Sequence, residues 1–229
     1  MGLISMLFGC GKPQKAPQTQ TVNPSELLYS LATLCDELPT VEQNTPVPSN
    51  SVVMHEDDWR QVEFVAPTNR KALEVTMTDF IVFRNAHRKG MGFTGVFVRK
   101  DTYPTVEVLS ITTSKLTGSL FPLAIGDQSI QGGFSVKDDS GAYLYGQAKS
   151  DGTIVYLGLK PPMNGPLGQD FRKMIVSISS EYGLILADWY RGAIVENVTD
   201  DALRQWANLY RKAEHTNAPA SSSAPDSKR

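Results

Sequence analysis

Apolar residues recur at helical spacing in a few stretches of this chain and alternate with polar ones through much of the rest. The stretch richest in such signals runs from Thr68 to Lys100. Leu73, Met77, Phe80 and Ile81 fall on one helical face, and the run up to Gly90 is far longer than an ordinary strand of about 5–6 residues. A helix is therefore predicted over residues 70–89, with Thr68 capping its start and Gly90 ending it. The rival is a strand in which Leu73, Val75 and Met77 alternate with Glu74, Thr76 and Thr78. Residues 93–99 carry little polarity on either side and read as a strand central in a sheet.

The same patterns order the rest of the chain. Asn23 and Pro24 open a helix with Leu27, Leu28, Leu31, Leu34 and Cys35 on one face, expected to run to Leu38. Residues 39–50 hold three prolines, lack periodicity and read as a linker. Residues 61–65 alternate as a strand, and residues 105–113 look strand-like. Apolar runs at 116–125, 129–136, 142–148 and 153–159 are separated by Asp/Gly turns, which predicts a β-meander. Residues 170–182 read as a helix stopped by Gly183, and 184–190 as a buried strand that turns at Arg191-Gly192 into a hairpin. Thr199 caps a last helix whose face is Leu203, Trp206, Ala207 and Tyr210.

These elements predict an α+β fold: a mostly antiparallel sheet with two packed helices plus a C-terminal helix. The chain divides into an apolar terminus and flexible tether (1–22), a short helix and Pro-rich linker (23–50), a single α+β domain (51–214) and a disordered tail (215–229).

Charge narrows the function classes. The 22 basic and 24 acidic residues give a net charge of −2, so no global basic excess points to nucleic acid. No apolar run approaches the roughly 20 residues needed to span a bilayer. Cys10 and Cys35 are the two cysteines, and neither sits in a metal-ligand or redox spacing. No cofactor or metal is expected. A cytoplasmic location is expected, with membrane association through the first residues as a variant of it. There, Leu3, Ile4, Leu7 and Phe8 would form a greasy face for a membrane surface or partner groove. Leu7-Phe8-Gly9-Cys10 resembles the bacterial lipobox, which implies a lipoprotein tethered at Cys10 if the true start lies upstream. The remaining alternative is an apolar terminus without a special role.

Candidate chemistry is sparse. His55, Asp57 and Asp58, with the intervening Glu56, form the most polar cluster, and imidazole and carboxylates suit a divalent ion or acid–base work. Neighbouring residues on a strand point to opposite faces, however, so the competing reading is a solvated turn. Asp188 ends an apolar strand as a candidate acid, with Trp189 and Tyr190 as pocket-lining neighbours. Arg84, His87, Arg88 and Arg99 are candidates for an anion- or partner-binding edge. Gly90-Met91-Gly92 lacks phosphate-loop spacing, and no serine sits in GxSxG. The favoured reading is a non-catalytic binding or adaptor protein whose partner is another protein, docked through its amino-terminal region. The alternative is an enzyme using His55, Asp57, Asp58 or Asp188, perhaps with a divalent metal.

Overall fold

The computed structural model describes residues 27–100, 105–162 and 165–217, with the last helix beyond residue 209 described by its backbone alone. Among the described residues, twelve strands and three α-helices follow one another. They are β1 (Thr33–Cys35), β2 (Val52–Met54), β3 (Val62–Val65), α1 (Arg70–His87), β4 (Arg88–Lys89), β5 (Gly92–Phe93) and β6 (Phe97–Arg99). After these come β7 (Leu120–Ile125), β8 (Gln128–Lys137), β9 (Tyr143–Ala148), β10 (Ile154–Lys160), α2 (Gln169–Tyr182), β11 (Ile185–Asp188), β12 (Ala193–Val195) and α3 (Asp200–Asn217).

Eight strands form one sheet in the order β12-β11-β3-β10-β9-β8-β7-β2. All its pairs are antiparallel except β2 with β7. The meander β7–β10 follows from local turn chemistry. Gly141 N–H donates to Asp138 at one turn, and Gly152 N–H donates to Lys149 at the next, where Asp151 also accepts from Thr153. Helices α2 and α3 cover one face. Phe171, Met174, Ile175 and Ile178 of α2, with Leu203, Trp206 and Ala207 of α3, close over Phe64, Leu144, Leu159 and Leu186. Thr199 Oγ1 accepts from Ala202 N–H at 3.1 Å, the predicted cap.

The opposite face is covered in two parts. Helix α1 buries Leu73, Met77 and Phe80 against Val65, Ile185, Ala187 and Trp189 over β3 and β11. Trp59 packs with Val52, Met54, Leu123, Ile130 and Tyr145 over the meander. Each of these large side chains contributes about 1.5–3 kcal/mol by leaving water.

Several expectations are corrected. Residues 33–35 are strand β1, not the tail of a helix; they pair in parallel with β6, and Cys35 thus belongs to the folded body. Apolar spacing at 27–35 suits a helix, but hydrogen bonding to β6 and the burial of Ala32 and Thr33 select the extended form. The region read as a linker is paired too: Glu42 N–H donates to Ser129, and Gln131 N–H donates to Thr40. Helix α1 ends at His87 rather than at Gly90, which instead turns the β4–β5 hairpin with φ +59. Its N-cap is Asn69, without a side-chain hydrogen bond, not Thr68. Strands β5 and β6 lie in two small sheets outside the main one. Residues 107–109 and 113–115 are 3-10 turns, not a strand, because Val106 and Ile111 are pulled into the core beneath β10. The tail read from residue 215 begins as helix, since α3 continues through 215–217; the readings of residues 1–26, among them Leu3, Ile4, Leu7, Phe8 and Cys10, and of 218–229 lie outside the described residues.

Register explains one glycine. Gly158 of β10 stands between Tyr145 of β9 and Glu63 of β3. The Tyr145 ring lies over Gly158, where a β-carbon would overlap it. That ring cannot retreat, because its hydroxyl accepts from Arg60 N–H at 2.9 Å and donates to Asp58 carbonyl at 3.2 Å. Gly158→Ala should therefore lower the unfolding free energy by about 2 kcal/mol or more, measured by urea denaturation.

Candidate functional site

Glu63 occupies a core position. Strand alternation sends Val62 and Phe64 to the α2–α3 face and Glu63 to the other, where it is 1% exposed. A carboxylate there needs compensation. Its cross-strand neighbours are Gly158 and Ala187, which leave room beside it. Two guanidinium groups fill that room. Arg60 Nε lies 2.6 Å from Oε2, and Arg99 Nη1 lies 3.0 Å from Oε1. Trp189 Nε1 donates to Oε1 at 2.9 Å. Arg99 also donates to the Arg60 carbonyl at 2.9 Å and stacks 4.4 Å over Trp189. Arg60 has φ +56, a left-handed conformation that costs a non-glycine residue roughly 1–2 kcal/mol. The Tyr145 and Arg99 hydrogen bonds on either side of it hold that conformation.

This network relocates one predicted contact. Arg99 is buried on Glu63 and is not part of an exposed anion-binding edge with Arg84, His87 and Arg88. Arg84 donates to the Tyr190 carbonyl at 3.2 Å, and partial burial, then the neighbouring Arg88, pull its pKa down. His87 stacks on Phe83 at 3.9 Å and donates through Nδ1 to that residue's carbonyl. Arg88 is exposed. Trp189 is fully buried with its indole N–H on Glu63, whereas Tyr190 is half-buried with its hydroxyl on Asp58.

The four candidate acid–base residues do not converge: His55 and Asp57 face each other, Nδ1 to Oδ2 at 3.4 Å, while Asp58 and Asp188 are held at two other places. His55 is exposed and accepts from Asp57 N–H at 3.2 Å, capping its own turn. Asp58 receives the Tyr190 hydroxyl at 2.7 Å and the Lys160 ammonium at 2.6 Å. Asp188 is fully buried. It accepts from Arg191 Nε at 2.6 Å, Arg191 N–H at 3.1 Å and Trp206 Nε1 at 2.8 Å, which fastens α3 to the end of β11. Among the described residues, no group of three His, Cys, Asp or Glu is placed to hold a metal ion. Burial pushes the Cys35 thiol up despite nearby Arg60 and Arg99, which is the reverse of what activates a thiolate nucleophile.

A cleft of about 660 Å³ opens where the main sheet splits. The later half of β8 pairs with β9, ending at Gly133 and Gln147, while its first half pairs with residues 40–42. At the fork Gly132 has φ +66, and its Cα lies so near the Ala148 carbonyl that a side chain would collide with it. Thr40, Gln131, Gln147, Ser150 and Tyr156 line the opening. Gln147 Nε2 donates across the fork to the Gln131 carbonyl at 2.9 Å. Tyr156 is braced from inside, with Arg60 at 4.6 Å over its ring and Trp59 edge-on at 5.9 Å. The buried ion network thus reaches the cleft through Arg60. The sequence reading missed both. Its available signal was Glu63 and Arg99, opposite charges within otherwise apolar strands.

Burial, then the charge of Asp58, raises the Tyr143 phenol from about 10 to about 12, and burial raises Tyr145 in the same direction. The unfolded chain therefore loses these protons first. Stability should be complete below about pH 10 and fall between about pH 10 and 12. Urea midpoints at about pH 8 and pH 11 would check this, with Tyr143→Phe losing less between them than the native chain. No protein-family model, no curated protein and no solved structure matches this chain.

Proposed function

We propose that this chain is a non-catalytic binding protein whose forked-sheet cleft receives an extended peptide segment of a partner protein. The observation that carries this reading is the braced Tyr156 in a wall that mixes amides and hydroxyls with Leu38, Val155 and the charged Glu37 and Lys149. A peptide backbone presents donors and acceptors that Gln131, Gln147, Thr40 and Ser150 can pair with, and strand-lined openings accept extended chains. An aromatic ring fixed before binding loses little entropy when a ligand packs on it, so it suits an energetic anchor. The cleft is lined by no histidine or cysteine, and its Lys149 is paired with Glu107, which favours recognition over acid–base chemistry. The enzymatic alternative has less support, because His55, Asp58 and Asp188 each serve a different local contact.

The test is selection of a random-peptide display library on the immobilised full chain. Recovered peptides should bind Tyr156→Ala at least about 30-fold more weakly. Gln147→Lys, a change at a half-exposed position, should weaken them by about tenfold with an unchanged melting temperature. Peptides that bind both variants as well as the native chain, or a selection that enriches none, would contradict the proposal.

A further inference from the structure

Leu27, Leu28 and Tyr29 begin the described chain beside the β4–β5 hairpin. Tyr29 and Phe93 exchange backbone hydrogen bonds of 2.9 and 3.0 Å, so three short extended pieces lie side by side: 88–89, 92–93 and 28–29. Lys89 pairs with Gly92, and Leu28 Cβ sits against the position where Gly92 would carry a side chain. Lys89 and Leu28 therefore flank Gly92 on one face. Met91 stands at the hairpin tip and is 69% exposed; Leu27 and Leu28 are 50% and 47% exposed.

The charges of the described segments that build this edge, 27–35 and 80–100, have one sign. Residues 80–100 contain no Asp or Glu and carry Arg84, Arg88, Lys89, Arg99 and Lys100, although the whole chain is net acidic. Residues 27–35 carry no charge at all; the adjacent Glu26 lies outside the described residues. Arg84 and Arg99 are engaged by the fold, which leaves three exposed cations: Lys100 after β6, and Arg88 and Lys89 on the hairpin arm next to Met91. Apolar side chains flanked by exposed cations fit the headgroup boundary of a bilayer: the first enter the acyl edge and the second meet anionic phosphates.

We infer that this hairpin edge, formed by Leu27, Leu28, Arg88, Lys89 and Met91, docks on an anionic lipid surface. It goes beyond the peptide cleft and uses different residues. Its occupant is chosen by charge: a neutral lipid surface satisfies the leucines and methionine but leaves two cations without counter-charges, and the exposed Arg88 and Lys89 repel a basic partner. No described helix is long and apolar enough to cross a membrane, so the contact is peripheral.

The test is flotation of the full chain with vesicles of phosphatidylcholine alone or with about 30% phosphatidylglycerol. The native chain should partition at least about tenfold more strongly to the anionic vesicles and lose most of that preference in high salt. Arg88→Glu with Lys89→Glu should cut partitioning by about tenfold or more, and Met91→Asp should also reduce it, with melting temperatures unchanged at these exposed sites. Equal partitioning to both vesicle types, or no partitioning, would overturn the inference. So would native-like partitioning of the charge-reversed variant, which would assign the binding to residues 1–12. Binding of selected peptides at the cleft should be the same in every hairpin variant, so failure at one surface is separable from failure at the other.

Discussion

One buried carboxylate constrains the second face of this protein. Glu63 sits on an interior strand of the main sheet, third from one edge, at a position that an ordinary strand would fill with valine or isoleucine. Desolvating it alone would cost several kcal/mol, so it demands partners. Those partners come from separate parts of the chain: Arg60 from the turn before β3, Arg99 from β6 and Trp189 from the end of β11. Satisfying one charge thereby fixes the small β1–β6 sheet against the main one. It also forces the left-handed backbone at Arg60 and the ring of Tyr145 over Gly158.

The arrangement extends outward from there. Arg60 lies under Tyr156, and Tyr156 lines the cleft at the forked sheet. Rigidity needed for the core is thus available to a surface aromatic without extra cost. On the other face Asp188 does a similar task, joining Arg191 and Trp206 so that α3 cannot lift from the sheet. Both acids illustrate a general point about burial. A strongly placed carboxylate is as readily explained by architecture as by catalysis, and its partners decide which.

Much of the fold was legible in the sequence because its signals are local. Helices α2 and α3 have apolar stripes with Gly183 or Thr199 at an end, and the meander has Asp/Gly turns between alternating runs. Residues 27–35 failed for a physical reason. Leucines at helical spacing can also face two ways along a strand, and only β6, more than 60 residues later, decides between them. Residues 105–113 failed similarly, since Val106 and Ile111 are set by the core and not by their own period. Of the candidate site, Asp58 and Tyr190 do meet, through a direct hydrogen bond. The Glu63 network was legible only in part: Glu63 and Arg99 stand as opposite charges within apolar strands, but no spacing rule joins them to each other or to Arg60 and Trp189. The cleft was hidden too: it exists only because β8 changes partners at Gly132.

The central claim is that Glu63 holds the β1–β6 layer to the main sheet by charge. A double-mutant cycle of Glu63→Gln and Arg99→Met, followed by urea unfolding, tests it most directly. Each single change should cost about 3 kcal/mol or more, and the pair should cost at least about 2 kcal/mol less than the sum of the two. Single costs below about 1 kcal/mol that simply add would contradict the account.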